Sequence, residues 1–228
     1  MSRQDMSEAG VNEAVMKAAF PAFDGFGLAA AMPGLTAKRM LDIGLAGLLV
    51  ILLSPVLVLA SIAILLDSRG PLLFAQRRTG LGGRTFAILK FRSMHVLEDG
   101  AQVTQAREGD VRITRVGRII RKLSIDELPQ LFNVLAGDMS LVGPRPHALA
   151  HDAYYGARIA NYAVRQRVRP GITGWAQVNG ARGATPTLGA MQARVDLDAW
   201  YVAHESFALD LLILLRTPLE VLRPRNAA

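Results

Sequence analysis

Asp126 and Glu127 stand side by side just ahead of a proline, in Ser124-Ile125-Asp126-Glu127-Leu128-Pro129-Gln130-Leu131. Their surroundings are basic: Arg118, Arg121 and Lys122 precede them, and Arg145 follows in Gly143-Pro144-Arg145-Pro146. Adjacent carboxylates among fixed cations suit chemistry on phosphates. The cations hold an anionic substrate, and a carboxylate then approaches it as nucleophile or metal ligand. A structural reading competes with this one. Ser124-x-x-Glu127 has the spacing of a capping box, and acids in a first turn complement the helix dipole. Pro129 weakens that version, because with Ser124 as cap the proline falls at the fifth helical position, where its missing N–H begins to matter. A helix that starts near Asp126 keeps Pro129 in its first turn and stops at Ala136-Gly137.

Elements on both sides must position this pair. Lys38-Arg39-Met40-Leu41-Asp42 opens an apolar run from Gly44 to Leu66, the length of a bilayer crossing of about 20 residues. Ser54-Pro55 sits in its middle, where proline breaks the hydrogen-bond ladder. Cations flank both ends, with Lys38 and Arg39 before it and Arg69, Arg77, Arg78 and Arg84 after it. The positive-inside rule then puts both ends in the cytoplasm. A helix that enters, bends at Ser54-Pro55 and returns satisfies both features, and a kinked spanning helix stays open beside it. Leu72–Arg78, the turn Gly80-Leu81-Gly82-Gly83, and Arg84–Phe91 predict a β-hairpin. Period-2 alternation puts Lys90 and Arg92 on one face and Phe91 on the other.

Further along, Arg112, Arg115 and Arg118 recur every three residues with apolar residues between them, which predicts a basic stripe on an amphipathic helix. The prolines of Gly143-Pro144-Arg145-Pro146 predict a rigid, extended frame that fixes the Arg145 guanidinium for bidentate contact with phosphate. His147 and His151 are four apart, but His-Ala-Leu-Ala-His has no glutamate of the zinc-protease type, so metal binding there is not expected. Pro170 to Gly180 predicts a turn-rich loop, Arg194 to Tyr201 a helix, and Phe207 to Leu215 an apolar segment interrupted by Thr217-Pro218. A short helix is expected around Ser7–Ala19, and a polar helix or loop from His95 to Gly109.

Composition sets the outer bounds. The chain has 228 residues, 51% hydrophobic and 20% charged, enough for one domain with a sizeable core. With no cysteine, thiolate ligands, thiol nucleophiles and disulfides are excluded. A net charge of +7 implies an anionic partner. Nucleic acid is the weaker choice, since aromatics are 6% and no basic stretch is interleaved with stacking rings. Residues 1–36 carry no apolar segment flanked by a basic start, so they do not read as a signal peptide.

The run from Asp126 through Asn133, Gly137-Asp138-Met139-Ser140-Leu141-Val142 and Gly143-Pro144-Arg145-Pro146 resembles the bacterial sugar transferase family, the monotopic phosphoglycosyl transferases. The resemblance extends from about Lys38 to about Leu222. It implies an α+β, mostly helical, monotopic membrane protein with a re-entrant helix hairpin broken at Ser54 and Pro55, a small β-hairpin and interfacial amphipathic helices. The corresponding domains are 1–36, an N-terminal extension, partly disordered; 37–69, the re-entrant membrane helix; and 70–222, the catalytic domain on the cytoplasmic face of the bacterial inner membrane. The implied reaction moves a hexose-1-phosphate from a UDP-sugar to polyprenyl phosphate and releases UMP, through a phosphosugar–aspartyl intermediate.

In that family reading Asp126 is the nucleophile and Glu127 assists, and the two bind Mg²⁺ as the cofactor. Lys90, Arg121, Arg145, Gln177 and Asp198 contact substrate and phosphate. Gly143-Pro144-Arg145-Pro146-His147-Ala148 looks more like the glucose-1-phosphate branch than like branches with glutamate after the second proline. Arg182-Gly183-Ala184 departs from the family form, in which an acidic residue often follows the glycine. Anionic membrane lipid is an expected partner, nucleic acid is not, and homodimer formation is left open. A non-catalytic basic membrane scaffold of a polysaccharide assembly complex is the alternative. It uses the same cationic surface but gives Asp126-Glu127 no task.

Overall fold

The computed structural model describes residues 36–95 and 109–222, and the helix expected at Ser7–Ala19 and most of the polar stretch after His95 lie outside these. The chain begins with two helices, α1 (Ala37–Leu52) and α2 (Ser54–Asp67), bent by 60° about Leu53. Pro55 lies in the first turn of α2, where its missing N–H costs no ladder bond. Among the described residues no single helix is long and apolar enough to cross a membrane, and the bent pair passes that test only when taken together. Its outer faces carry exposed apolar side chains, among them Leu48, Ile51, Leu52, Leu59, Leu65 and Leu66.

The foot of α1 is polar and turned inward. Thr36 caps it, accepting from the Arg39 amide at 3.2 Å. Lys38 Nζ donates to the Val142 carbonyl (3.1 Å), the Tyr201 hydroxyl (2.8 Å) and Asp210 Oδ2 (2.7 Å). The buried Asp42 carboxylate accepts from Ser140 Oγ and the Leu141 amide at 3.0 and 2.8 Å. Lys38, Arg39 and Asp42 therefore do more than flank an apolar run. They lock its base to the rest of the fold.

The hairpin forms as expected: β1 (Leu73–Thr79) pairs antiparallel with β2 (Thr85–Phe91), Leu73 opposite Phe91 and Thr79 opposite Thr85. The turn between them holds Gly82 and Gly83 at φ +64° and +78°, which glycine adopts without a steric penalty. Residue Arg92 falls beyond the strand. It is buried and donates to the Ser68 carbonyl at 2.6 Å, so it does not share a working face with Lys90. Ala60, Ile64, Phe91 and Ile120 form one core cluster, which joins the second helix and the hairpin to α3 (Arg115–Lys122).

Two sequence expectations need correction here. Arg112 does not belong to the basic helical stripe. It precedes the Thr114 cap of α3 and pairs with Asp110 at 2.8 Å, because the chain turns before the helix begins. Arg115 and Arg118 are exposed as expected. Neither start proposed for the dyad helix is observed either. Ser124 takes a left-handed conformation (φ +56°) with no capping bond, a 3₁₀ turn spans Ile125–Glu127, and the helix proper, α4 (Gln130–Ala136), begins after Pro129. Its end at Gly137 (φ +93°) is as expected.

A second, parallel two-stranded sheet was not anticipated. It pairs β3 (Ser140–Val142) with β4 (Gly171–Thr173). Its backbones pack so closely that a Cβ on Gly171 would lie 2.1 Å from the Gly143 amide nitrogen, which fixes the start of the Pro-Arg-Pro segment. The chain continues through α5 (Leu149–Gly156), a 3₁₀ helix (Tyr162–Arg167), α6 (Trp175–Val178), α7 (Leu188–His204) and α8 (Phe207–Leu222). The last of these runs straight through Pro218 rather than stopping at Thr217-Pro218. Burial of Leu209 and Ile213, together with the Thr217 hydroxyl bond to the Ile213 carbonyl (2.8 Å), holds the helix despite the missing donor.

Candidate active site

The left-handed residue at Ser124 turns the chain sharply out of α3 and presents the dyad toward the hairpin. Its hydroxyl accepts from Arg182 Nη2 at 2.7 Å. The two carboxylates then part company. Glu127 accepts from Lys90 Nζ at 2.9 Å through Oε1 and is gripped on both oxygens by Arg145, whose Nη1 lies 2.9 Å from Oε2. Asp126 is 7% exposed, and among the described residues no hydrogen bond or ion pair reaches its carboxylate.

The electrostatics follow this division. Burial, and then the neighbouring charge of Glu127, push the Asp126 carboxyl up to about 6, against the pull of Lys90, Arg121 and Arg145. Burial acts on Glu127 in the same direction, but the Arg145 and Lys90 charges outweigh it and hold that carboxyl well below its ordinary range. The Glu127 charge raises the Arg145 guanidinium, and burial draws the Lys90 ammonium down. One acid is thus a permanently charged anchor. The other, raised toward neutrality, has no hydrogen-bond or ion-pair partner among the described residues.

Arg145 is held from behind by a second ionic layer. Arg165 uses every nitrogen: Nε pairs with Asp198 Oδ2 at 2.7 Å, Nη1 lies 3.0 Å from His147 Nδ1, and Nη2 donates to the Arg145 carbonyl. Arg78 Nη1 donates to the next carbonyl, that of Pro146, at 3.2 Å. His147 Nδ1 also lies 2.6 Å from the Tyr162 hydroxyl, which donates to Asp152 at 2.7 Å. Burial and the Arg165 charge keep this imidazole neutral. Proline rings set the backbone angles of the Pro-Arg-Pro segment, and two guanidiniums fix its carbonyls.

The structure therefore brings Asp126, Glu127, Lys90 and Arg145 together, with Arg121 close enough for its charge to act on Asp126. Asp198 is not at this site, since its carboxylate is buried against Arg165 and can influence it only through Arg145. Gln177 is buried in α6 and donates to the Ile172 carbonyl at 3.1 Å. With Glu127 it lines a cavity of about 280 Å³. Ser54 and Pro55 lie at the bend whose Leu49 and Leu53 reach the same cavity.

The sequence alone assigned no site role to Arg165, Arg78, Arg182 or Arg194. Part of that was visible. Met191, Arg194, Val195, Asp198 and Tyr201 form one buried stripe at helical spacing, and charged residues within an apolar stripe must find buried partners.

For magnesium, the described residues contain no group of three or more carboxylate or imidazole ligands. The pair fits the other pattern for this ion, in which one or two carboxylates and the substrate's own phosphates share it. Asp126 has its oxygens free, whereas Glu127 would have to serve while holding two cations.

The model of the bacterial sugar transferase family matches residues 34–224, and the chain belongs to that family. It is 58% identical over 190 residues to the UDP-glucose:undecaprenyl-phosphate glucose-1-phosphate transferase of Caulobacter vibrioides, covering 83% of this chain and 71% of that one. The Escherichia coli protein of the same name is 49% identical over 79% of this chain and 39% of its own length. A UDP-N-acetylgalactosamine-undecaprenyl-phosphate N-acetylgalactosaminephosphotransferase of Aeromonas hydrophila is 45% identical, over 79% of this chain and 42% of its own. The chain thus spans most of the first relative but well under half of the other two.

Proposed function

We propose that this chain transfers glucose-1-phosphate from UDP-glucose to undecaprenyl phosphate, releasing UMP, as a first membrane step of exopolysaccharide synthesis. The observation that carries the reading is the division of labour between the two acids: Glu127 is held by Arg145 and Lys90, while Asp126 is left without a partner. The relatives' names supply the sugar and the lipid.

In this mechanism an Asp126 oxygen attacks the sugar-linked phosphorus of UDP-glucose. The bond to the bridging oxygen breaks and UMP leaves with that electron pair, so glucose-1-phosphate remains on Asp126. A phosphate oxygen of the lipid then attacks the same phosphorus and Asp126 departs as carboxylate. A carboxylate is repelled by a charged diphosphate, so cations must offset that repulsion. Arg121, Lys90 and Arg145 do so, the last two anchored through Glu127. Asp126 and Glu127 would hold Mg²⁺, which supplies further neutralisation of diphosphate charge.

The bent helix pair serves as a re-entrant membrane segment in this reading. Its exposed leucines and isoleucines would face acyl chains, and both ends would stay on the cytoplasmic face. Arg115, Arg118 and Lys122, exposed beside Ile119 and Leu123, suit a surface of anionic lipid.

The test is UMP release by the purified chain in lipid nanodiscs, with undecaprenyl phosphate and a panel of UDP-sugars. UDP-glucose should be the preferred donor. If no donor yields UMP while the chain stays folded and membrane-bound, the scaffold reading takes its place.

A further inference from the structure

We infer that the cavity beside the dyad seats the lipid acceptor's phosphate and its first isoprene units, with Arg182 as the cation that receives the phosphate. The inference rests on the phosphoglycosyl transfer proposed above and adds a location and a residue to it.

The cavity, at about 280 Å³, lies near the lower end of small-ligand pockets, roughly 300–1,000 Å³. Leu49, Leu53, Leu128, Leu131 and Leu214 give it apolar walls, and Leu53 is the joint of the bent helix pair. Its polar lining comprises Ser124, Glu127, Gln177 and Arg182, with Thr173, Thr217 and Glu220. Such a lining fits an amphiphile: a charged head beside the dyad and a hydrocarbon tail leading toward the helices. UDP-glucose, polar along its whole length, would leave the leucine walls unmatched.

Arg182 is a cation with an unspent charge. It donates to two neutral oxygens, Ser124 Oγ at 2.7 Å and the Glu220 carbonyl at 3.3 Å. No carboxylate lies within ion-pair distance of it among the described residues, whereas Lys38, Lys90, Arg145 and Arg165 each have one. The loop that carries it is also held in place. The buried Arg194 donates from Nε to the Ala181 carbonyl at 3.0 Å and from Nη2 to the Gly183 carbonyl, gripping the backbone on both sides of Arg182. Arg165 and Arg78 grip the carbonyls of Arg145 and Pro146 in the same way. The Arg194 bonds hold the backbone on both sides of Arg182, which limits where its guanidinium can point.

Gln177 adds an independent sign of a ligand. It is 7% exposed, lines the cavity, and its Oε1 is buried without a partner. A buried carbonyl of this kind calls for a donor, which a protonated phosphate oxygen or a phosphate-bound water would bring.

Steady-state kinetics of the full chain in nanodiscs test the assignment, each substrate being varied at saturation of the other. Arg182→Ala should raise KM for undecaprenyl phosphate by about tenfold or more, the scale of one lost charge-assisted contact, and barely move KM for UDP-glucose. Arg182→Lys, which keeps the charge, should recover part of the loss. Leu214→Trp, which fills the cavity and spares the cation, should also raise only the lipid's KM. An unchanged lipid KM in Arg182→Ala, or an equal rise in both constants, would overturn the assignment while leaving the transferase reading intact. Wild-type chain that consumes neither substrate would overturn both.

Discussion

Two ionic clusters lie back to back in this molecule, and they are built differently. The front one joins Lys90, Glu127 and Arg145 and leaves Asp126 over, a buried carboxylate with no partner. The rear one joins Arg165 to Asp198, His147 and the Arg145 carbonyl and uses all three guanidinium nitrogens. Saturated buried networks fix geometry. A network that leaves one charge unpaired keeps a group whose solvation the substrate must complete. The adjoining acids 126 and 127 thus differ because their environments differ, although their side chains are near twins.

The sharpest way to break this contrast is at Asp126. Asp126→Asn should abolish turnover, since an amide is no nucleophile. The same change should stabilise the fold. The folded-state carboxyl sits at about 6, above the ordinary carboxylate value, so ionising it costs folding free energy. That cost is absent below the unfolded pKa and fully developed above about 6, where it amounts to on the order of 2–3 kcal/mol. Thermal melts should show the variant more stable than wild type at pH 7–8, with the gain vanishing toward pH 4. Wild-type turnover should rise with pH along a limb near 6 as Asp126 ionises.

Next in size is Arg145→Lys, which keeps the charge and loses the fork on Glu127. It should cost about 2–3 kcal/mol of transition-state stabilisation, read as kcat/KM for UDP-glucose. Near-wild-type turnover would make this arginine structural. A smaller effect on catalysis is expected from Asp198→Asn in the rear cluster, with kcat down about tenfold through misplacement of Arg145. Its acid limb should move to higher pH, because a displaced Arg145 compensates Glu127 less and leaves Asp126 harder to ionise. Breaking a buried pair also destabilises, by roughly 3–5 kcal/mol. A melting change without any movement of the limb would confine Asp198 to stability.

How much of this was legible in the residues depends on the distance over which they interact. The hairpin, the Gly137 stop and the break at Ser54-Pro55 were readable because turn and helix-break chemistry is local. The dyad itself was readable as a pair of acids among cations. Its asymmetry was not, because Glu127 finds Lys90 and Arg145 through tertiary contact at separations of 37 and 18 residues. Asp198 was expected at the substrate and lies behind Arg145, since nothing local to α7 reveals that Arg165 is its partner. The Arg112 stripe failed for the opposite reason. The three-residue period runs across the Thr114 cap, and Arg112 pairs locally with Asp110 in the turn before the helix starts.

The smallest effect expected concerns the bent helices, whose apolar faces contrast with the charged interior they support. Pro55→Ala should let the pair straighten and lower turnover severalfold by displacing the cavity wall at Leu53. Cysteines introduced singly at Ala37 and Arg69 in this cysteine-free chain should label from the same side of sealed vesicles. Labelling from opposite sides would replace the re-entrant segment with a kinked span.

In the proposed mechanism Asp126 carries the sugar phosphate between two substrates that never need to meet. Wild-type chain mixed with UDP-glucose labelled in its sugar-linked phosphate, with Mg²⁺ and no lipid acceptor, tests it directly. The account predicts a burst of at most one UMP per active site, with the label retained on Asp126 and discharged when undecaprenyl phosphate is added. UMP that appears only when the lipid is present, with no label on the protein, would contradict it and make Asp126 a base or a metal ligand in a direct transfer.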